Sequence, residues 1–176
     1  MIEVKDKKFI PFLSEVQLEE KIKALGSEIN KDYKDKEPVL LGILNGSFMF
    51  LSDLAKAIDI PVEIHFIKVA SYESLSSSGS IKDLIGLNVD IKGRNVIIIE
   101  DIIDTGLSMK HILNLVMDKK PASISIATLL LKPEALKEKL DIKYVGFTIP
   151  NKFVVGYGLD YDGYGRNLKE IYQLKI

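Results

Sequence analysis

The sequence predicts an α/β fold in which a twisted, mostly parallel β-sheet is flanked by helices. Three observations predict it: short apolar runs typical of buried strands, amphipathic segments between them, and polar turns where the runs end. Strands that alternate with helices form parallel sheets, because each crossover helix packs against a face of the sheet. The chain has 176 residues and no evident repeat or linker, so we expect a single domain over residues 1–176.

The predicted elements follow from local signals along the chain. Ser14 is a suitable N-cap for a first helix, in which apolar residues recur at helical spacing from Leu18 to Ile29. The elements after it are a strand Val39–Leu44, a helix Phe48–Ile58, a strand Val62–Ala70, a strand from Val96, a helix to about Lys119, a strand Ser123–Leu131, a short helix Glu134–Leu140 and a strand Tyr144–Ile149. The serine-rich stretch Ser71–Ser80 is too polar to pack and is expected to be a mobile loop. The last stretch, Phe153–Ile176, is rich in Tyr and Gly and is expected to be irregular, with a final strand.

Composition excludes several classes of function. The net charge is −1 and the pI about 6.2, which argues against a general nucleic-acid binder because polyphosphate affinity needs a basic surface. The absence of cysteine excludes disulfides, thiol catalysis and a thiolate metal site, and two histidines are too few for a multi-histidine zinc centre. No apolar run suits a signal peptide or a membrane span, so we expect a cytoplasmic protein without membrane partners.

Residues 96–108, Val-Ile-Ile-Ile-Glu-Asp-Ile-Ile-Asp-Thr-Gly-Leu-Ser, form the most informative segment. An apolar run typical of a strand buried on both faces leads into Glu100, Asp101 and Asp104. Since burying unpaired carboxylates is costly, we expect these acids at the carboxyl end of the strand, facing a crevice. Thr105–Ser108 then opens a helix, where N–H groups and hydroxyls favour an anion such as a phosphate. The segment therefore predicts a site for a sugar phosphate and a divalent metal.

Two other interpretations fit parts of this segment. One is a buried strand followed by ordinary helix-capping residues, and the other is an acidic phospho-acceptor site of the receiver-domain type. Neither requires all three acids together with Thr-Gly, so the sugar-phosphate site is favoured.

The same segment resembles the phosphoribosyl diphosphate (PRPP) motif of type I phosphoribosyltransferases. The resemblance implies the fold of that family, with a small hood built from the terminal segments. It also implies that the motif binds PRPP through Glu100, Asp101, Ile103, Asp104, Thr105, Gly106, Leu107 and Ser108. In that family the acid pair holds the ribose hydroxyls directly or through Mg²⁺, and the residues after Asp104 hold the 5′-phosphate. Asp104 would act as the general base for N7 of a purine.

The segment Leu44-Asn45-Gly46-Ser47 lies between a predicted strand and a predicted helix. Its small residues can present backbone N–H groups to an anion, although alone it would be read as an ordinary turn. In the resembled family this is the pyrophosphate loop, formed here by Asn45 and Gly46, and it often contains a non-proline cis peptide, which corresponds to Leu44–Asn45. Many members carry Lys or Arg where this chain has Asn45.

Lys132 follows the predicted strand Ser123–Leu131. From the sequence alone, a solvated lysine before Pro133 is an equally good interpretation. The resemblance implies that Lys132 contacts O6 of a 6-oxopurine. An ammonium has three donors and no acceptor, so it would bond the exocyclic oxygen of hypoxanthine or guanine and oppose the amino group of adenine.

Residues 145–161 are similar, nearly residue for residue, to hypoxanthine-guanine phosphoribosyltransferases. Without the resemblance this stretch is a strand followed by an aromatic-rich loop. The resemblance implies that Phe153 stacks on the purine and that the backbone near Val154 reads the edge of its ring. Asp160 would lie by the purine and join a second Mg²⁺, and Arg166 would bind pyrophosphate.

The resemblance therefore implies an enzyme that transfers the phosphoribosyl group of PRPP to hypoxanthine or guanine with Mg²⁺, giving IMP or GMP and pyrophosphate. Ser71 and Tyr72 would belong to a flexible lid over about residues 71–86, and the protein would be a homodimer or homotetramer. Two alternatives stay open: a regulatory protein of this fold that binds RNA or a nucleotide, and a transferase for another base such as adenine, xanthine, uracil or orotate. His65 and His111 lie in apolar-periodic segments and are interpreted as structural.

Overall fold

The computed structural model describes residues 1–69 and 83–175. Its elements, in chain order, are β1 Ile2–Val4, β2 Lys7–Leu13, α1 Glu15–Asp32, β3 Val39–Ile43, α2 Phe48–Lys56, β4 Glu63–Val69, β5 Asp83–Ile85, β6 Asn95–Ile103, α3 Leu107–Asp118, β7 Ser123–Leu131, a 3₁₀ turn Pro133–Ala135, β8 Tyr144–Thr148, β9 Val154–Val155 and β10 Ile171–Leu174. Ser71, Tyr72 and most of the predicted lid lie outside the described residues. No helix in the described part of the chain is long and apolar enough to cross a membrane.

The main sheet has six strands in the order β5-β4-β3-β6-β7-β8. All neighbouring pairs from β4 to β8 are parallel, and only β5 runs antiparallel to its neighbour. The predicted mostly parallel sheet is therefore confirmed. The predicted strand Ser123–Leu131 coincides with β7, and the predicted ends of β3, β4, β8 and α2 lie within two residues of the observed ends.

Helices cover both faces of this sheet, because successive strand residues point to opposite faces. One face of β6, with Ile97 and Ile99, packs in a cluster with α1 and α2. The other face, with Val96 and Ile98, packs in a cluster with α3. All four of these side chains are fully buried. The central strand is thereby fixed between two apolar layers, which gives its carboxyl end a rigid support.

Ser14 is the N-cap of α1, as its position in the sequence predicts. Its Oγ accepts a hydrogen bond from the N–H of Gln17 at 3.3 Å, and the Gln17 side chain accepts from the N–H of Ser14 at 2.9 Å. This reciprocal arrangement satisfies two N–H groups that would otherwise lack partners at the helix start.

A second, smaller sheet is formed by the terminal segments, in the antiparallel order β1-β2-β10-β9. It corresponds to the hood that the resemblance implies, but β1 and β2 were not predicted as strands because Pro11 interrupts the apolar run of β2. Proline cannot donate a hydrogen bond within a sheet and is tolerated where one side of a strand is free. The pairing with β1 ends at Phe9, so Pro11 lies where β2 has β10 as its paired neighbour.

The predicted short helix Glu134–Leu140 is wrong. Only the 3₁₀ turn Pro133–Ala135 forms, and the chain then continues without regular structure to β8. The N–H of Lys137 donates to the carbonyl of Thr105 at 2.9 Å, and the side chains of Leu136 and Leu140 pack against Gly106. These tertiary contacts, which a spacing of apolar residues cannot reveal, hold the segment in a non-helical path.

Candidate active site

The predicted site residues meet at the carboxyl edge of the main sheet. Strand β6 lies between β3 and β7, so the loops that follow these three parallel strands are neighbours. The N–H of Lys132, just after β7, donates to the carbonyl of Ile103, the last residue of β6, at 3.0 Å. Strand β6 runs on through the acid pair to Ile103, so Glu100 and Asp101 belong to the last residues of the strand, at the edge where the sequence predicts them.

The turn between β6 and α3 forms one side of a small pocket. The pocket has a volume of about 110 Å³, and its lining residues are Glu100, Ile102, Ile103, Asp104, Thr105, Gly106, Ser108 and Met109. Gly106 is the N-cap of α3 and has no side chain to cap the first N–H groups of the helix. These N–H groups and the positive end of the helix dipole are suited to bind an anion. The structure therefore places the predicted phosphate-binding residues beside the predicted acids.

The acid pair is electrostatically unfavourable in the protein alone. Burial raises the pKa of the Glu100 carboxyl well above its usual range, and the charge of Asp101 adds to this shift. Burial also raises the pKa of Asp101, against the opposing effects of hydrogen bonds from Glu100 and the Ile102 N–H and of the positive charge of Arg166. A cation at this position would relieve the repulsion between the two carboxylates.

The donor set of this pair fits Mg²⁺, which prefers oxygen ligands and is usually held by one or two carboxylates together with substrate oxygens. Among the described residues, no group of three or more His, Cys, Asp or Glu side chains could hold a metal by itself. A magnesium ion at Glu100 and Asp101 would therefore depend on oxygens of a bound substrate to complete its coordination.

The predicted pyrophosphate loop, residues 44–47 after β3, touches the acid pair at Asp101. Its Leu44–Asn45 peptide bond is cis, at the position where the resembled family often has a non-proline cis peptide. Gly46 lies so close to Asp101 that a Cβ at this position would overlap the Asp101 carboxylate. Ser47 is buried, and its Oγ donates to the carbonyl of Ile43 at 2.6 Å. Only glycine therefore allows this loop to approach the acids of β6.

Lys132 is buried and paired, so the interpretation as a solvated lysine is wrong. The residue is 6% exposed, and its Nζ lies 2.7 Å from Oδ2 of Asp104. Sequence analysis assigned both residues to the site but did not predict that they pair. The pair places a cationic donor and a carboxylate side by side, which is the arrangement needed to bond two neighbouring polar atoms of one ligand.

Phe153 presents an exposed aromatic surface next to the end of the sheet. The N–H of Ile149 donates to the carbonyl of Leu131 at 2.8 Å, so the chain that leads to Phe153 leaves the sheet beside Lys132. The ring of Phe153 packs edge-on against Tyr161 at 5.9 Å and lies 6.3 Å from the buried ring of Phe9. Phe153 is nevertheless 44% exposed, which leaves surface for a planar ligand. Val154 is buried in β9.

Arg166 and its neighbours connect the C-terminal segment, residues 153–175, to the predicted pyrophosphate loop through a chain of contacts. Its Nη2 lies 2.7 Å from Oδ1 of Asp160, and its Nη1 donates to the carbonyl of Gly158 at 2.7 Å. Gly158 in turn packs against the carbonyl of Gly46. The other oxygen of Asp160 accepts from the N–H of Gly163 at 2.7 Å. A carboxylate has further lone pairs, so these contacts are compatible with the predicted role of Asp160 at a second Mg²⁺.

Sequence analysis missed the residues that support the site from behind. Leu136, Leu140 and Lys137 contact the turn at Thr105 and Gly106, and the buried Tyr157 donates its hydroxyl hydrogen to Asp53 on α2. No local signal marks them, because their contacts join distant parts of the chain. The two histidines do not line the pocket: His65 bonds Glu63 at 2.9 Å, and the buried Nε2 of His111 has no hydrogen-bond partner among the described residues.

Comparison with known proteins gives one consistent result. Residues 13–162 match the family model described as a phosphoribosyl transferase domain. The hypoxanthine-guanine phosphoribosyltransferase of Aquifex aeolicus is 42% identical over 177 residues, covering 99% of this chain and 99% of its own. The enzyme of the same name from Streptococcus pneumoniae R6 is 46% identical over 164 residues, covering 93% of this chain and 91% of its own.

Solved structures give the same picture. A hypoxanthine phosphoribosyltransferase from Staphylococcus aureus is similar with a TM-score of 0.90 and 44% identity, covering 97% of this chain and 92% of its own. A hypoxanthine-guanine phosphoribosyltransferase from Bacillus anthracis, with a HEPES molecule in its active site, gives a TM-score of 0.89 and 40% identity, covering 97% of this chain and 98% of its own.

Proposed function

The chain belongs to the phosphoribosyl transferase domain family, and from this premise we propose that it transfers the phosphoribosyl group of PRPP to hypoxanthine or guanine. The products are IMP or GMP and pyrophosphate, which makes the protein a transferase of purine salvage. The similarity to enzymes of that name extends over nearly the whole chain. The observation that carries the assignment is the Lys132–Asp104 ion pair, in which a buried ammonium and a partly exposed carboxylate lie together beside the turn at the start of α3.

The 5′-phosphate of PRPP binds at the start of α3. Thr105, Gly106, Leu107 and Ser108 supply backbone N–H groups and hydroxyls there, and Ile103 closes the pocket behind them. The anion binds where the helix dipole is positive, so the phosphate does not require a basic side chain. This is consistent with a chain whose net charge is −1.

Glu100 and Asp101 lie where the ribose hydroxyls and Mg²⁺ are expected. Bound Mg²⁺ would be held by these carboxylates, and by Asp160 at a second position, and would neutralise the pyrophosphate as it leaves. The pyrophosphate itself is bound by backbone groups of Asn45 and Gly46 and by Arg166. Asn45 replaces a basic residue that is common in the family, so Arg166 carries more of the electrostatic binding here.

Asp104 is the general base of the reaction. N9 of the purine forms a bond to C1′ of the ribose, the bond from C1′ to the pyrophosphate oxygen breaks, and the proton on N7 passes to the Asp104 carboxylate. The Lys132 ammonium lies 2.7 Å from Oδ2 of Asp104 and holds this carboxylate in place at the edge of the pocket. Much of the remaining rate enhancement comes from positioning the two substrates and from electrostatic stabilisation of the cationic sugar.

Lys132 also sets the base specificity. Its ammonium donates to O6 of hypoxanthine or guanine, while the ring stacks on Phe153 and its edge meets the backbone near Val154. Adenine would present an amino group to this donor, and an unpaired buried donor costs about 1–3 kcal/mol. The enzyme therefore discriminates against adenine.

A homodimer or homotetramer and a cytoplasmic location belong to the same proposal. Ile64 and Phe66, on one face of β4, are large apolar side chains that stay exposed in the single chain, as an interface between copies requires. Light scattering coupled to gel filtration tests the oligomeric state, and a monomer at micromolar concentration would contradict it.

The decisive experiment measures pyrophosphate release with PRPP, Mg²⁺ and one base at a time. We expect turnover with hypoxanthine, guanine or both, and much weaker turnover with adenine, uracil and orotate. Xanthine is included because its 2-oxo group needs a hydrogen-bond donor where the 2-amino group of guanine needs an acceptor. Its turnover therefore tests which of the two the backbone near Val154 presents. Turnover with adenine or uracil equal to that with hypoxanthine would overturn the base assignment. A protein that binds PRPP but uses no base would be a regulator of this fold.

A further inference from the structure

The short turn Gly156-Tyr157-Gly158 packs against the pyrophosphate loop, and its tyrosine has no role in the mechanism described above. The N–H of Tyr157 donates to the carbonyl of Leu168 at 2.8 Å, and the N–H of Gly158 donates to the carbonyl of Arg166 at 2.9 Å. The turn is thus fixed to the segment that carries Arg166.

The opposite side of the turn touches the loop itself. Gly158 approaches the carbonyl of Gly46 so closely that a Cβ would overlap it, and its φ of +98° favours glycine. The carbonyl of Gly158 accepts from Nη1 of Arg166 at 2.7 Å. Gly158 therefore lies between the two groups to which we assign pyrophosphate binding, the loop and the arginine.

Tyr157 anchors this turn to the helix that follows the loop. Its side chain is 5% exposed, and its hydroxyl donates to Oδ2 of Asp53 on α2, which begins at Phe48 directly after the loop. Burial and this hydrogen bond raise the pKa of Tyr157, so it stays a protonated donor at ordinary pH. Tyr157 has a φ of +50°, a conformation that is unfavourable for a non-glycine residue and needs compensating contacts.

We propose that the Tyr157–Asp53 hydrogen bond is a positioning contact for the leaving group: it sets the separation between the pyrophosphate loop and Arg166, and thereby the affinity for the pyrophosphate part of PRPP. Tyr157 touches neither substrate, and it acts through Gly158 and α2. The proposal rests on the proposed function, because it assigns the loop and Arg166 to pyrophosphate. It predicts that the contact affects PRPP and pyrophosphate but not the purine.

The chain provides a matched control in Tyr144. This tyrosine is also buried, its hydroxyl donates to Oδ2 of Asp32 on α1 at 2.8 Å, and burial likewise raises its pKa. Tyr144 is the first residue of β8, so it lies at the amino edge of the parallel sheet, away from the site at the carboxyl edge. Tyr157→Phe and Tyr144→Phe each remove one tyrosine–aspartate hydrogen bond, and only the first touches the turn.

The experiment compares Tyr157→Phe, Asp53→Ala, Asp53→Asn and Tyr144→Phe with the wild type. The measurements are kcat, KM for PRPP, KM for hypoxanthine, inhibition by pyrophosphate and Tm. We expect Tyr157→Phe and Asp53→Ala to raise the KM for PRPP and the inhibition constant for pyrophosphate by about fivefold or more, with the purine KM within about twofold of wild type. Asp53→Asn keeps an acceptor for the hydroxyl and should stay near wild type.

Tyr144→Phe should lower Tm about as much as Tyr157→Phe and leave both KM values unchanged. The proposal is overturned if the two tyrosine variants have the same kinetics, or if the KM for PRPP and the KM for purine rise together. Asp53→Ala keeps the test valid if Tyr157→Phe does not fold, because Asp53 lies on a partly exposed face of α2. A wild-type protein without transferase activity would refute the proposed function instead, which separates the two failures.

Discussion

At the residue scale, the ion pair between the buried Lys132 and the partly exposed Asp104 is proposed to serve both purine binding and proton transfer. The ammonium lies in the interior and the carboxylate stays partly exposed, so the negative charge faces the pocket. Removing one member of such a pair leaves the other uncompensated, which is often more costly than the pair is worth. The informative substitutions are therefore ones that keep shape and remove a single property.

Asp104→Asn should lower kcat by about 10²–10³-fold and change the KM for PRPP by less than about threefold. The amide keeps the size of the side chain and can still accept a hydrogen bond from Lys132, but it cannot take the proton from N7. Steady-state kinetics with hypoxanthine and saturating Mg²⁺ measures both quantities. Normal kcat with a large rise in the KM for PRPP would show that Asp104 binds PRPP and is not the base.

Lys132→Met should reduce the preference for hypoxanthine over adenine. Methionine fills a similar volume but removes the donor to O6, and with it about 1–3 kcal/mol of discrimination, which corresponds to roughly 5–150-fold in the ratio of kcat/KM values. The ratio is measured with both bases at the same PRPP concentration. An unchanged ratio would refute the contact between Lys132 and O6.

Glu100 and Asp101 predict a pH effect that depends on the metal. Their folded-state pKa values are raised, so between the ordinary pKa of Glu, 4.5, and the raised value the folded protein binds more protons than the unfolded chain. Stability from this source is therefore present at low pH and is lost as pH rises through that window. Without divalent metal, the free energy of unfolding of the wild type should fall more between pH 5 and pH 7 than that of Glu100→Gln. Urea unfolding measures both, and the expected difference is of order 1 kcal/mol. If the unfolding free energies of the two proteins depended equally on pH, the raised pKa of Glu100 would be contradicted.

At the scale of elements, the N-terminal hairpin formed by β1 and β2 matters because it packs behind the proposed purine site. Phe9 in β2 is fully buried and lies near the rings of Phe153 and Tyr161, and the Tyr161 hydroxyl donates to Asp6 at 2.9 Å. The chain termini thus meet under the aromatic surface proposed for the base. This sheet joins residues that are more than 140 positions apart, such as Phe9 and Leu174.

Phe9→Leu should weaken purine binding more than PRPP binding. Leucine keeps the site apolar but removes the aromatic neighbour of Phe153, so we expect the KM for hypoxanthine to rise about three- to tenfold with the KM for PRPP nearly unchanged. Ile22→Val serves as a control for general loss of packing, because Ile22 lies on α1 in the core cluster of the main sheet, which does not include Phe9. Equal shifts in both KM values would mean that the hairpin has no specific role at the base.

For the whole molecule, the sequence predicts the main sheet well because its strands are buried on both faces and carry long apolar runs. The acids and the turn at Thr105 directly follow one of these runs, so their position at the edge of the sheet could be predicted with the sheet. A role for Lys132 came only from the resemblance, because its sequence context fits a solvated lysine equally well. The Lys132–Asp104 pair, the path of residues 136–142 and the Tyr157–Asp53 contact could not be predicted. Each depends on residues brought together by the fold, and no local spacing encodes it.

The assembled site joins the two sheets, and this determines how ligands should stabilise the protein. In the proposed binding mode, PRPP has its phosphate end at the start of α3 and its pyrophosphate end at the loop after β3 and Arg166. It would therefore contact both the main sheet and the C-terminal segment whose strands β9 and β10 belong to the smaller sheet. A ligand at about 100 times its Kd adds about 2.7 kcal/mol to stability, which for a chain of this size is a rise in Tm of about 5–10 °C.

PRPP with Mg²⁺, at about 100 times its Kd, should therefore raise Tm by about 5–10 °C. Ribose 5-phosphate with Mg²⁺ at the same concentration should raise Tm clearly less, because it makes fewer of the contacts. Differential scanning calorimetry at equal concentrations of the two ligands gives the comparison in the wild type directly. Ribose 5-phosphate lacks the pyrophosphate group, so it reaches the turn after Asp104 but neither the loop after β3 nor the arginine. Equal stabilisation by the two ligands at equal concentration would show that Gly46 and Arg166 add nothing to the binding of the pyrophosphate group. The claim that PRPP contacts both sheets would then be refuted.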